Sequence, residues 1–100
     1  MSAKERIEQL LNDNKVVLFM KGSPQAPQCG FSARATAILA ELNTEFQTVD
    51  VLQDQEIRQG IKEYGNWPTI PQLYINKELV GGSDIMMEMF ESGELKQALD

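Results

Sequence analysis

The residue best suited to covalent or redox chemistry in this chain is its single cysteine, Cys29. It follows a loop that contains Gly22, Pro24 and Pro27, and it precedes a run of residues with helical periodicity. The sequence therefore predicts Cys29 at a helix N-terminus, where unpaired backbone N–H groups and the helix dipole favour a thiolate. Lys21, at the other end of the loop, adds a positive charge. The alternative is a small buried hydrophobic residue, the common environment of a lone cysteine.

Ser32 stands three residues after Cys29, where an oxidoreductase of the C-x-x-C type has its second cysteine. Because the chain has no other thiol, Cys29 cannot form an internal disulfide. Its reaction partner must come from outside the chain, either as a small thiol such as glutathione or as another protein.

Four polar residues could hold glutathione, which has two carboxylates, one ammonium group and a peptide-like backbone. Lys21 and Arg58 could bind a carboxylate, although a surface salt bridge is the alternative role for Arg58 on its predicted helix. Backbone N–H groups near Ser83, which follows two glycines, could bind an anion at the start of a later helix. The Asp84 carboxylate could bind the ammonium group, and simple helix capping is the alternative.

The Ile70–Pro71 bond directly precedes a predicted strand. A cis bond at this point would turn the Ile70 backbone toward Cys29, where it could pair with a ligand as a β-strand does. An ordinary trans turn is the alternative.

Alternating helices and strands are predicted to position these residues. Val16–Met20 is a continuous apolar run, as expected for a strand covered on both faces. A capping box between Ser2 and Glu5 begins the first helix, and Phe31 is predicted as the first core residue of the helix after Cys29. The remaining features are an end of the first helix near Asn12, an end of the second helix at Asn43, a strand Phe46–Val51, a helix capped by Asp54 and ended by Gly65, strands Gln72–Ile75 and Glu78–Val80, and a helix Ser83–Phe90 to which Glu94–Leu99 adds a last turn or two.

The order of these elements, α-β-α-β-α-β-β-α, predicts an α/β thioredoxin fold with a four-stranded mixed sheet and helices on both faces. A right-handed crossover makes the first two strands parallel. The loop before Cys29 then lies at the carboxyl end of the first strand, where ligands of open α/β sheets bind.

The composition limits the classes of function. With 100 residues, of which 42% are hydrophobic, the chain is expected to form a single domain over residues 1–100. A net charge of −6 and the lack of a basic run argue against nucleic acid as a partner. No apolar segment reaches the ~20 residues of a membrane span. The lone cysteine and the amphipathic N-terminus predict a cytoplasmic, reducing location.

Four segments of the sequence together resemble the monothiol glutaredoxins of the CGFS type. They are Lys21–Pro24, Pro27–Ser32, Trp67–Gln72 and Gly81–Asp84, in the order and at the spacing of that family. The resemblance implies a thioredoxin fold with cis-Pro71. It also implies a glutathione site made by Lys21, Arg58, the Ile70 backbone, Ser83 and Asp84.

The resemblance further implies a [2Fe-2S] cluster held between two subunits. A cluster of this kind needs four ligands, which two copies of Cys29 and two glutathione molecules would supply in a homodimer. The implied partners are BolA-type proteins and apo iron-sulfur proteins, and the implied roles are cluster storage or transfer and iron homeostasis. The main alternative is a glutathione-dependent thiol-disulfide oxidoreductase that removes glutathione from mixed disulfides through Cys29. A protein-interaction adaptor without redox chemistry is the third hypothesis.

Overall fold

The computed structural model describes all residues from Met1 to Asp100. Four strands form one mixed sheet in the order β2-β1-β3-β4, in which β2 runs parallel and β3 antiparallel to β1. This is the predicted thioredoxin fold. The elements are α1 (Ala3–Asp13), β1 (Val16–Met20), α2 (Gly30–Glu41), β2 (Gln47–Asp50), a 3₁₀ turn (Val51–Gln53), α3 (Gln55–Tyr64), β3 (Gln72–Ile75), β4 (Glu78–Gly81), α4 (Ser83–Ser92) and α5 (Glu94–Leu99).

Strand β1 is central, and all five of its residues are buried. Its side chains alternate between the two faces of the sheet. Val16, Leu18 and Met20 join a core formed with α2, α4 and α5, whereas Val17 and Phe19 join a second core formed with α1 and α3. The continuous apolar run therefore supplies two cores at once, and the carboxyl end of β1 is fixed from both sides.

Most helix boundaries follow the capping signals in the sequence. Ser2 and Glu5 form the predicted capping box, with the Glu5 N–H donating to Ser2 Oγ at 3.1 Å. Asp54 caps α3, which ends at Gly65 as predicted. Helix α4 continues two residues beyond the predicted end and stops at Gly93, which has a positive φ of 87°.

The second strand is shorter than the sequence predicts. Only Gln47–Asp50 pairs with β1. Val51 instead begins the 3₁₀ turn, where its side chain is fully buried. Asp50 caps this turn by accepting the Leu52 N–H, so the chain leaves the sheet one residue early.

The β3–β4 hairpin turns at Asn76 and Lys77, as predicted. Both residues have positive φ, 50° and 71°. This is the combination that a two-residue type I′ turn requires. The lysine therefore occupies a position for which glycine is the less strained choice.

Phe31 does not face the core, contrary to the sequence prediction. Its side chain is 55% exposed beside Cys29, and the buried face of α2 is made by Ser32, Ala35, Thr36, Ile38 and Leu39. Helical spacing alone does not decide which side of the first turn is buried, because that depends on which neighbouring elements pack against it.

No helix combines the length and apolar character of a membrane span.

An ion pair between Arg6 and Asp54 joins α1 to the start of α3. Asp54 also accepts the Ile57 N–H at 3.1 Å. The Arg6 guanidinium, followed by the Ile57 N–H, holds the pKa of Asp54 below its ordinary value. One carboxylate thus caps a helix and ties two helices together on the same face of the sheet.

We expect Asp54→Ala to lower the free energy of unfolding by about 1 kcal/mol near neutral pH, the usual contribution of a helix N-cap. Because the folded pKa of Asp54 is lowered, its contribution is complete above the unfolded value of about 4 and is lost as pH falls through the folded value. The free energies of unfolding of wild type and variant should therefore converge in acid. Urea unfolding across pH tests this, with Glu8→Ala, an equal change of charge on exposed α1 surface, as control. Equal effects of Asp54→Ala and Glu8→Ala on the free energy of unfolding would contradict the capping role of Asp54.

Candidate functional site

A cleft of about 420 Å³ lies beside the carboxyl end of β1, as the sequence predicts for the ligand site. Its volume is within the range of small-molecule sites in proteins. One wall is the N-terminus of α2 with the preceding loop, and the other is the segment before β3 with the start of α4. The lining residues that bear on the chemistry are Lys21, Cys29, Phe31, Lys62, Trp67, Ile70, Ser83 and Asp84.

Cys29 is the N-cap residue of α2, with extended backbone angles, and its side chain is partly buried in the cleft. Burial of the thiol acts to raise its pKa. The backbone N–H groups of Ser32 and Phe31, the Ser32 hydroxyl and the charge of Lys21 act in the opposite direction, and their sum holds the pKa of Cys29 below its ordinary value. This environment favours a reactive thiolate over the inert buried thiol.

Ser32 is fully buried and connects Cys29 to the end of β1. Its Oγ accepts the backbone N–H of Lys21 at 3.0 Å, and its hydroxyl also contributes to the lowered pKa of the Cys29 thiol. The position that a second cysteine would occupy is thus filled by a hydrogen-bonding group. It helps to stabilise the thiolate but cannot resolve a disulfide.

Asp50 fixes the loop that carries Cys29. Its Oδ1 accepts the Gly22 N–H at 2.9 Å and the Leu52 N–H at 3.0 Å. Gly22 has a φ of 89°, and an added Cβ would lie 2.5 Å from the Ala26 carbonyl oxygen, so only glycine fits. Sequence reasoning missed Asp50. The available signal was an acidic residue at the carboxyl end of a strand parallel to the one before the loop.

The opposite wall contains the Ile70–Pro71 bond, which is cis. Ser83 is buried at the start of α4. This helix has no side-chain cap, so Asp84 does not perform the capping role that was its alternative. Asp84 is instead exposed at the rim of the cleft, where its carboxylate lies 3.6 Å from the Arg34 guanidinium.

The structure does not place Arg58 among the residues that line the cleft, whereas Lys62 from the same helix does line it. The two residues are four apart and therefore lie on one face of α3. Sequence reasoning missed Lys62, and this spacing from Arg58 was the available signal. Lys21, Cys29, Ile70, Ser83 and Asp84, by contrast, all line the cleft.

Trp67 lines the cleft. Its indole Nε1 is buried and has no hydrogen-bond partner. Tyr64, the other aromatic residue in this part of the sequence, lies outside the cleft and contacts Tyr74, with 6.2 Å between the ring centroids.

Comparisons with known proteins agree with the geometry. The glutaredoxin family model matches residues 16–80. A protein from Synechocystis sp. described as an uncharacterized monothiol glutaredoxin is 60% identical over 97 residues, 97% of this chain and 91% of the relative. A probable monothiol glutaredoxin 2 from Rickettsia conorii is 54% identical over 93 residues, 93% of this chain and 87% of the relative.

Two solved structures have the same fold. Reduced poplar apo GrxS14 is similar with a TM-score of 0.83 and 49% identity, over 94% of this chain and 86% of that one. A buckwheat glutaredoxin-glutathione complex is similar with a TM-score of 0.86 and 27% identity, over 97% of this chain and 86% of that one.

We expect Ser32→Ala to raise the pKa of the Cys29 thiol, because the variant loses the hydroxyl beside the sulfur. The rate of iodoacetamide alkylation as a function of pH measures this directly, since no other thiol is present. Thr36→Val is the matched control, because it removes a hydroxyl of the same helix that bonds only the Ala33 carbonyl. An unchanged midpoint in Ser32→Ala would show that the hydroxyl does not act on the thiol.

We expect Asp50→Leu to loosen the Cys29 loop and raise the pKa of the thiol, because the Gly22 and Leu52 N–H groups lose their acceptor. Leaving such groups unpaired also lowers the free energy of unfolding by about 1 kcal/mol or more. Asp50→Asn keeps an acceptor oxygen while removing the charge, and it should behave as wild type. The same alkylation assay, together with urea unfolding, separates the two variants. Identical behaviour of Leu and Asn would mean that the carboxylate acts through its charge.

Proposed function

This chain belongs to the glutaredoxin family as a monothiol member, and we propose that it binds glutathione beside Cys29 and that two copies share a [2Fe-2S] cluster. The observation that carries the proposal is the state of Cys29. It is the chain's only thiol, its pKa is lowered, and it opens into a cleft with the polar groups that a tripeptide needs.

The cleft is chemically complementary to glutathione. Lys21 and Lys62 both line the cleft and supply positive charge for a carboxylate. The uncapped N-terminus of α4, at Ser83, supplies backbone N–H groups for the second carboxylate, and Asp84 supplies a negative charge for the ammonium group. The Ile70 backbone is the proposed partner of the ligand's main chain. Arg58 is a weaker candidate for a direct contact, because it does not line the cleft.

A [2Fe-2S] cluster fits the residues around Cys29. It would be held by thiolates, and the lowered pKa favours that form of Cys29. The two residues that follow the thiol are exposed, because nothing lies within 4 Å of a Cβ built on Gly30 and Phe31 is 55% exposed, and Cys29 itself is only partly buried. No cluster of acidic, histidine or cysteine side chains in the chain could hold a metal ion alone. The remaining thiolates would come from a second copy and two glutathione molecules.

The physiological role that we propose is storage of the cluster and its transfer to apo iron-sulfur proteins, with BolA-type proteins as further partners. Iron homeostasis and a cytoplasmic location complete the proposal. The roles and partners rest on the resemblance to the monothiol family, and the location rests on the lone cysteine and the amphipathic N-terminus.

The second candidate function is a glutathione-dependent oxidoreductase, which the lowered pKa and partial exposure of Cys29 also support. Here the Cys29 thiolate attacks the glutathione sulfur of a mixed disulfide. The bond between that sulfur and the substrate breaks, the substrate leaves as a thiol after protonation, and Cys29 becomes glutathionylated. A second glutathione thiolate then attacks this disulfide, restores Cys29 and leaves as oxidised glutathione. Ser32 cannot take the place of that second thiol.

We expect anaerobic reconstitution with iron, sulfide and glutathione to give a coloured dimer that depends on glutathione. Visible absorption and size-exclusion chromatography of wild type and Cys29→Ser test this, and the colour and the dimer should both be lost in the variant because a ligand is missing. Thr36→Val, which is altered on the same helix away from the thiol, should form the coloured dimer.

A colourless wild-type monomer after reconstitution would contradict the cluster proposal. Steady glutathione-disulfide exchange by that monomer, absent in Cys29→Ser, would then favour the oxidoreductase. Colour that persists in Cys29→Ser or without glutathione would contradict the proposed ligand set.

A further inference from the structure

Gln72 is the first residue of β3 and follows Pro71 directly, and its side chain is fully buried. Its Nε2 donates to the Trp67 carbonyl at 3.0 Å and to the Thr69 carbonyl at 3.1 Å. Its Oε1 accepts the Tyr74 hydroxyl at 3.1 Å. Both amide hydrogens are therefore used on one short segment of backbone.

That segment, Trp67–Ile70, is a wall of the cleft. It contains neither helix nor strand, so no ladder of backbone hydrogen bonds holds its carbonyl groups. The Trp67 N–H donates to the Lys62 carbonyl at 3.0 Å and ties the start of the wall to α3. The Gln72 amide is the side-chain donor that the structure shows to carbonyls of this wall, those of Trp67 and Thr69.

The arrangement that holds Gln72 is itself buried and fully formed. Tyr74 is 2% exposed and packs edge-to-face on Phe19, with 5.6 Å between the ring centroids. Burial, together with the nearby Tyr64, raises the pKa of Tyr74 to about 12, so its hydroxyl remains a donor over the physiological range. The Tyr74 hydroxyl and the Gln72 amide oxygen lie against Gly65, where an added Cβ would be 2.4 Å from the Tyr74 oxygen, so the glycine leaves room for both groups.

Gln72 does not itself line the cleft. We propose that it is a positioning residue for the glutathione site, acting through the Trp67 and Thr69 carbonyls to hold the Trp67–Ile70 wall in the arrangement that receives the ligand. This inference rests on the proposed function, because glutathione is the ligand concerned.

The physical argument is one of preorganisation. Without the two donors, the wall gains conformations in the free protein, and the ligand must order it again on binding. The thiol is governed by α2, Lys21 and Ser32 on the other wall, so its pKa should not follow the change. A loss of glutathione affinity with an unchanged thiol is therefore the signature of positioning by Gln72.

The test is calorimetric titration of reduced glutathione, under anaerobic conditions, into wild type, Gln72→Met and Tyr74→Phe. Gln72→Met keeps the length of the side chain but has no donor, and we expect it to weaken affinity about tenfold. Tyr74→Phe keeps the ring in the core and removes only the bond that holds Gln72. We expect it to weaken affinity about threefold, which keeps the inference testable if Gln72→Met does not fold.

Two controls separate positioning from general loss of structure. Thr36→Val removes the hydrogen bond of a buried side chain elsewhere and should bind glutathione as wild type does. The alkylation profile of Cys29 against pH should be unchanged in Gln72→Met and Tyr74→Phe. A profile that shifts together with the affinity would overturn the inference, because it would indicate a change of the whole site.

The outcomes also separate this inference from the function on which it rests. Wild-type binding with unchanged affinity in the folded variants would overturn the role of Gln72 alone. Absence of glutathione binding by the wild type would overturn the proposed function and this role with it.

Discussion

The site depends on two backbone N–H groups, those of Lys21 and Gly22, which are the first two residues beyond β1. Both donate to side chains rather than to the sheet, the first to Ser32 Oγ and the second to Asp50 Oδ1. Strand β1 is buried on both faces and is therefore held rigidly, and these two bonds hold the start of the Cys29 loop in place relative to it. The thiol is thus placed by the rigid centre of the fold although it follows a loop.

Side chain to backbone hydrogen bonds also hold the other wall of the cleft. Trp67–Ile70 is irregular backbone, and the buried Gln72 amide bonds two of its carbonyls. Side chain to backbone bonds suit this purpose, because they satisfy buried polar groups where no ladder reaches them. The two walls differ in their electrostatics. One brings the thiol and Lys21, and the other brings a helix N-terminus and the Asp84 carboxylate.

The sequence predicted the elements well because their signals are local. The capping box of Ser2, the cap at Asp54 and the turn at Asn76 and Lys77 each depend on residues close in the chain. The errors concern packing between distant segments. Phe31 has helical spacing but is uncovered, and Val51 leaves the strand to fill a core position in a 3₁₀ turn.

The sequence by itself determined the single thiol, the hydroxyl in place of a second cysteine, the glycine and proline residues around the cleft and the order of helices and strands along the chain. The tertiary structure decided which cation of α3 lines the cleft, that Asp50 and Gln72 hold the two walls, and that the sum of opposing effects lowers the pKa of Cys29. The physical reason is the distance along the chain over which each effect acts. Turn, cap and periodicity preferences act within a few residues, whereas burial, electrostatics and side chain to backbone bonds depend on residues that only the folded chain brings together.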